Sequence, residues 1–229
     1  MNNSLGDRMK RYENSFRYYL PIRMPLIIRI DGKAFHTLTR HCEKPFDKNF
    51  MYAIQKTMCE LAKKIEGCKF SYCQSDEISL LLTDYDQLNT ESWFGKNLQK
   101  IVSVSASIAT AEFNSIFLYG EQKATFDSRT FILPKEEICN YFIWRQQDAT
   151  RNAIQMLGQS HFSHKQLHGL SCNDIQEKLF TEKNINFNDL DIDKKRGSCA
   201  YKKEQPFGWT FNAIPPIFTE DREFIEKYL

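Results

Sequence analysis

The spacing of apolar residues changes several times along the chain, and each change predicts an element. Residues 25–30, Pro-Leu-Ile-Ile-Arg-Ile, are a β-branched run that stops at Asp31-Gly32, the pattern of a buried strand ending in a turn. From Asp47 onward Ile54, Met58, Leu61, Ala62 and Ile65 recur at helical spacing. Asp47 predicts the N-cap of that helix and Gly67 its stop. Residues 69–73 predict a second strand, Gln74-Ser75-Asp76-Glu77 a tight polar connection, and Ile78-Ser79-Leu80-Leu81-Leu82 the returning strand. A stretch rich in Ala, Val, Ile and Phe, from about residue 96 to 117, has the length of a second, mostly buried helix. Residues 124–133 follow as a fourth strand, broken by the polar Asp127-Ser128-Arg129.

This order, β-α-β-β-α-β, is the ferredoxin-like arrangement of an α+β fold. Beyond Pro134 the pattern turns mainly helical: residues 135–158 read as one helix, and Ser163 and Ser171 read as N-caps, the second with Asp174 three positions on. Basic strand-like pieces at 197–203 and 209–212 precede a short terminal helix. The expected organisation is a core over residues 1–134 and a helical, basic extension over 135–229 packed on it, with a soft boundary.

Composition narrows the class. With 41% hydrophobic and 26% charged residues the chain is in the ordinary globular range. Its first residues are polar, and nowhere do about 18 uncharged apolar residues run together, so a cytoplasmic protein without a membrane span is expected. The seven cysteines are odd in number and form no C-x-x-C pair, which suits neither a disulfide framework nor a zinc knuckle. His161, His164 and His168 have ligand-like spacing but no cysteine nearby. Net charge is only +2, yet basic residues cluster. Arg8, Lys10, Arg11, Arg17 and Arg23 lie near one end, and Lys194, Lys195, Arg196, Lys202 and Lys203 near the other, interleaved with tyrosines. Such mixtures suit phosphate contacts and base stacking.

The chemistry is concentrated in two acidic turns. Asp31-Gly32 ends the first strand and Asp76-Glu77 sits at the hairpin, and a β-α-β-β unit places those elements side by side. Converging carboxylates repel one another, and a hard divalent cation such as Mg²⁺ relieves the repulsion. Gly32-Lys33-Ala34-Phe35-His36 follows the first carboxylate directly, so a Gly-containing turn can offer backbone N–H groups to a triphosphate. Arg29 and Lys44 flank this turn, and Lys96 or Lys100, at the start of the second long helix, is expected to put positive charge where pyrophosphate leaves.

Five blocks in order, RIDGKAFH (29–36), KPFD (44–47), QSDE (74–77), FDSR (126–129) and WRQQD (144–148), resemble the tRNA-histidine guanylyltransferases and their guanylyltransferase-like relatives. The resemblance implies a polymerase-type palm, two Mg²⁺ ions, ATP or GTP as activating nucleotide and substrate, tRNA as partner, and a homotetramer. It implies 3′–5′ addition of nucleotides to the 5′ end of tRNA: ATP or GTP activates the 5′-monophosphate, and the incoming nucleotide's 3′-hydroxyl displaces the activating group. On the matching positions Asp31 and Asp76 would be metal ligands, with the Gly32 carbonyl completing the shell and Glu77 supporting it. Lys33, Ala34, Phe35 and His36 would line the nucleotide, with Lys44, Asp47, Ser75 and Lys100 around its base and phosphates. Arg129, Arg145, Arg151, Lys195 and Arg196 would be candidates for RNA contact.

After WRQQD, relatives that recognise tRNA-histidine carry His-Ile-Asn-Asn, where this chain has Thr150-Arg151-Asn152-Ala153. That departure implies the bacterial and archaeal subgroup, which repairs 5′-truncated tRNA by copying the opposite strand. A palm-type nucleotide cyclase and a non-catalytic RNA-binding module are the alternatives.

Overall fold

The computed structural model describes residues 4–118, 122–202 and 208–229. It begins with a helix that the apolar spacing did not announce, α1 (Leu5–Asn14), capped by Ser4 and with no buried residue. The β-branched run then forms β1 (Leu26–Gly32). Ile28 and Ile30 lie on one face and Ile27 on the other, all fully buried, which is why the run reads as continuously apolar rather than alternating.

A short helix, α2 (Phe35–Leu38), leads to α3 (Lys48–Lys64). As predicted, Asp47 caps α3: the Phe50 amide donates to Oδ1 at 2.9 Å, and the Glu43 amide to Oδ2 at 3.0 Å. Gly67 marks the exit with φ +78°, where a Cβ would come within 2.8 Å of the Thr83 carbonyl oxygen. The hairpin follows as β2 (Cys68–Gln74) and β3 (Glu77–Leu82), turning through Ser75 at φ 49°. Then come α4 (Leu98–Ile116), which buries Ile101, Ser105, Ala109 and Phe113 along one stripe, and β4 (Phe126–Ile132).

The strands lie in the order β4-β1-β3-β2 with every pairing antiparallel, so the ferredoxin-like arrangement stands. The expected break at Asp127-Ser128-Arg129 does not occur. These residues pair in register with Asp31, Ile30 and Arg29 of β1, and an edge strand tolerates polar side chains that central strands do not.

Beyond Pro134, α5 (Lys135–His161) runs for 27 residues, followed by α6 (His164–Leu167), α7 (Cys172–Lys183) and α8 (Ile192–Arg196). Ser163 and Ser171 are both N-caps as predicted, and Ser171 forms the reciprocal cap with Asp174. Two more strands follow: β5 (Ser198–Lys202) pairs with β2 and β6 (Trp209–Asn212) with β5, which brings the sheet to six strands before α9 (Glu223–Glu226). Lys203 of the C-terminal basic cluster lies outside the described residues.

Two cores sandwich the sheet. Ile28, Ile30, Met58, Leu61, Leu80 and Phe113 pack beneath α3 and α4, and Ile27, Phe70, Leu81, Phe142, Phe218 and Ile225 pack beneath α5 and α9. Among the described residues no helix is long and apolar enough to cross a membrane.

Candidate active site

Antiparallel pairing of β1 with β3 sets Asp31 opposite Glu77. The Gly32 amide donates to the Asp76 carbonyl at 3.2 Å, which ties the hairpin tip to the end of β1. The two acidic turns thus meet at one end of the sheet. Burial raises the Asp76 carboxyl above its ordinary value, and the charge of Asp31 raises it further. Glu77 is raised chiefly by burial too, while Arg145 and Arg29 pull it back and Asp31 pushes it up. Its Oε2 accepts from Arg145 at 2.8 Å and pairs with Arg29 at 2.7 Å. Its Oε1 is buried and has no partner among the described residues.

This donor set fits a cation that arrives with its substrate. Among the described residues no group of three or more His, Cys, Asp or Glu could hold a metal unaided. Mg²⁺ is commonly bound by one or two carboxylates together with water and substrate phosphates. Asp31 and Asp76, whose like charges act on each other, supply that number.

The turn beside them is built onto the aromatic core. A Cβ at Gly32 would lie 2.3 Å from the ring of Phe35, and that ring packs against Phe50, Phe113 and Phe126 at centroid distances of 5.9, 5.4 and 5.0 Å. Ala34 takes φ 56° to make the bend into α2. Next to the bend opens a cleft of about 450 Å³ bordered by Gly32, Ala34, Phe35, His36, Lys44, Asp47, Ser75 and Asp76, within the range of small-molecule sites. A recess of about 80 Å³ continues it past Phe50 and Met156 to Asn152, Asp193 and Lys194.

Most nucleotide-site candidates therefore converge, in distinct capacities. His36 is exposed on the cleft and is not a core histidine. Phe35, at 5% exposure, is mostly core and gives the wall little surface. Both oxygens of Asp47 are taken by the amides of Phe50 and Glu43. Burial works against its charge, but those amide bonds prevail and hold the carboxyl below its ordinary value. Asp47 therefore fixes the 43–47 loop. The Lys44 ammonium donates to the Thr39 carbonyl at 3.0 Å. Lys33 is exposed, and its amide bonds Thr125. Sequence reasoning missed Thr39, Cys42, Phe50 and Met156 on the cleft; Met156 comes from α5, which no local pattern links to the turn.

Two expectations are overturned. Lys100 is not beside the acidic turns. It starts α4, whose Phe113 meets Phe35 near those turns, and thirteen residues at 1.5 Å each put Lys100 roughly 20 Å away. Its ammonium lies over the Phe94 ring. Lys96 is at the same far end, buried and paired with Asp84 at 3.0 Å. Arg145 is no RNA contact either, being 3% exposed and bound to Glu77.

The other basic candidates are accessible. Arg129 stands at the mouth of the site, 3.8 Å from Asp31 and 3.4 Å from Asp127. Arg151 is exposed and paired with Asp148. Lys195 and Arg196 border a separate hollow of about 390 Å³ together with Gln147 and Thr150.

With this geometry in view, comparisons with known proteins converge. The family model described as tRNAHis guanylyltransferase (Thg1) matches residues 6–134. A bacterial tRNA(His) guanylyltransferase (Thg1)-like protein in complex with ATP superposes with a TM-score of 0.94 and 53% identity, covering 98% of this chain and 99% of that one. One in complex with GTP superposes at 0.87 with 49% identity over 98% of each chain. The tRNA(His) guanylyltransferase of Debaryomyces hansenii is 28% identical over 226 residues, 89% of this chain and 82% of that protein.

Proposed function

This chain belongs to the tRNAHis guanylyltransferase (Thg1) family, and from that membership we propose that it repairs the 5′ end of truncated tRNA by template-directed 3′–5′ nucleotide addition. The nucleotidyl transfer itself follows from the family and from the close similarity to ATP- and GTP-bound relatives. The observation that carries the reading is the meeting of the two acidic turns, the Gly32 amide on the Asp76 carbonyl at 3.2 Å, where Gly32 and Asp76 border a nucleotide-sized cleft and Asp31 lies next to Gly32.

Asp31, Asp76 and the Gly32 carbonyl would hold two Mg²⁺ ions, which when bound acidify a hydroxyl and stabilise a leaving phosphate. The chain's own residues do the positioning. Gly32 and Ala34 bring the backbone close to the phosphates, and His36, Lys44 and Ser75 line their path. Asp47, locked by two amides, keeps the 43–47 loop in place beneath the nucleotide. In the first step a 5′-phosphate oxygen of the RNA attacks the α-phosphorus of ATP or GTP, and pyrophosphate leaves. In the second the 3′-hydroxyl of the incoming nucleotide attacks the RNA 5′ phosphorus, and the activating nucleoside monophosphate leaves. Neither step needs a protein nucleophile.

Repair, rather than reading of the histidine anticodon, is supported by Thr150-Arg151-Asn152-Ala153 following WRQQD, with Asn152 on the inner recess. The 135–229 extension serves tRNA binding through Arg151, Lys195 and Arg196, and Arg129 adds a contact from the 1–134 core. The exposed stripe Leu5, Met9, Tyr12 and Phe16 of the N-terminal region is suited to a homotetramer contact, and the enzyme would work in the cytoplasm.

The test incubates the protein with Mg²⁺, labelled GTP and a 5′-truncated tRNA. Label at the 5′ terminus, with an identity that follows the facing base and is indifferent to the anticodon, is expected. Label confined to tRNA with the histidine anticodon, or none at all, overturns the proposal.

A further inference from the structure

We infer that Arg145 of α5 is a positioning residue for catalysis: it fixes the Glu77 carboxylate so that one of its oxygens stays free for the cation site beside Asp31 and Asp76. This rests on the nucleotidyl transfer proposed above.

The contacts are specific. Arg145 Nη1 donates to Glu77 Oε2 at 2.8 Å, across 68 residues of sequence. Nη2 stands 3.5 Å from Asp148 Oδ2, and the guanidinium carbon lies 3.5 Å from the centre of the Trp144 ring. The planar group is thus fixed at its edge and its face, which a lysine's point charge would not reproduce. Arg29 of β1 comes to the same Oε2, at 2.7 Å.

The crowding on one oxygen is informative. Arginine and carboxylate commonly pair through two parallel bonds that engage both oxygens, and a purely structural buried pair gains most from doing so. Here two cations converge on Oε2, while Oε1 is buried without a partner among the described residues. Buried polar atoms are seldom left so; Arg29 Nε and Arg145 Nε of the same cluster are unpartnered as well, and the carboxylate among them belongs to the residue paired in register with Asp31. Glu77 is held in its orientation by groups on either side, and the spare oxygen faces a requirement the chain itself does not meet. A metal site depends on such supporting contacts for its affinity. The support comes from α5, outside the 6–134 segment matched by the family model, so the helix of the extension completes the catalytic geometry.

The experiment measures Mn²⁺ binding by electron paramagnetic resonance, with a non-hydrolysable ATP analogue, on the full-length protein, Arg145→Lys and Arg145→Met, all well below their thermal transitions. Each variant is expected to bind Mn²⁺ about 10- to 100-fold more weakly. Affinity for the analogue without cation should hold, and kcat should fall while KM for GTP does not change. Arg145→Lys keeps the charge that Glu77 needs, so it decides the matter if Arg145→Met fails to fold. A folded Arg145 variant with the parent's Mn²⁺ affinity and kcat overturns the inference. If the parent protein transfers no nucleotide, the functional reading fails, yet the Mn²⁺ titration still decides the role of Arg145.

Discussion

Charge is buried at both ends of the central strand pair, and the two ends treat it in opposite ways. At the far end the Lys96 ammonium, 2% exposed, donates to the carbonyls of Pro21 and Met24 at 2.9 and 2.8 Å and pairs with Asp84 Oδ2 at 3.0 Å. All three of its protons are used. The same Asp84 oxygen accepts the Arg23 amide, and the Lys96 carbonyl accepts the Leu20 amide, so the group ties residues 20–24 to the sheet. At the near end Asp31, Asp76 and Glu77 crowd together, and two of them are raised above their ordinary range by burial; each end leaves one buried carboxylate oxygen without a partner among the described residues, Asp84 Oδ1 at the far end and Glu77 Oε1 at the near one. A cation with its hydrogen bonds complete is part of the architecture. Carboxylates set against one another, with burial and like charge raising Asp76 and Glu77, are prepared for a cation that binds.

The largest effect expected from breaking this contrast is on catalysis. Asp76→Asn or Asp31→Ala should lower nucleotide addition on the order of 1,000-fold while circular dichroism stays that of the parent. A variant with parental activity would erase the distinction between the two ends. Stability should move the other way. Because the Asp76 carboxyl is raised in the folded protein, the native state binds protons that the unfolded chain has already released. Its contribution to stability is therefore present below the ordinary value of 3.8 and lost as pH climbs through the raised one. Without Mg²⁺, Asp76→Asn should accordingly melt above the parent at pH 7, with the gap closing as pH approaches 4.

At the opposite end Lys96→Met should cost about 3–5 kcal/mol in urea unfolding, since it strands Asp84 in the interior. A stable Lys96→Met protein that fails only in turnover would move Lys96 from architecture to chemistry. Asp47→Ala should cost roughly 1 kcal/mol through the lost cap. The sign here is reversed: its lowered carboxyl stabilises the fold above 3.8, and that contribution disappears as pH falls through the depressed value. The difference between Asp47→Ala and its parent should thus narrow between pH 7 and pH 3. Smallest of all, Lys100→Ala should leave both kcat and the melting temperature unchanged, and a clear drop in kcat would show that this lysine reaches a reacting phosphate.

The near end was the more legible in sequence, because its signals are local. Asp31-Gly32 and Asp76-Glu77 punctuate apolar runs, and strand pairing converts that punctuation into proximity. Asp47, Gly67, Ser163 and Ser171 were readable for the same reason: a cap acts within one turn of its own helix. What escaped depends on direction or on distance along the chain. Lys100 was misplaced even though β3 leaves the site as it runs from Glu77 to Leu82, so the helix that follows it has to begin at the far end. Arg145 stands in a block noticed for its composition, but nothing local tells a surface arginine from one that meets Glu77. The helix α1 buries no residue, so its stripe had no core to announce.

The contact between Gly32 and Phe35 has a consequence for how such a protein could change over generations. With the ring standing 2.3 Å from where a methyl group would sit, no side chain can be accepted at position 32 until the phenylalanine is replaced or displaced. Its neighbours Phe50, Phe113 and Phe126 would have to readjust with it. The reactive bend and the hydrophobic interior must therefore drift together or not at all, whereas the rim of the cleft, at His36 and Lys44, is constrained by what it binds and not by that packing.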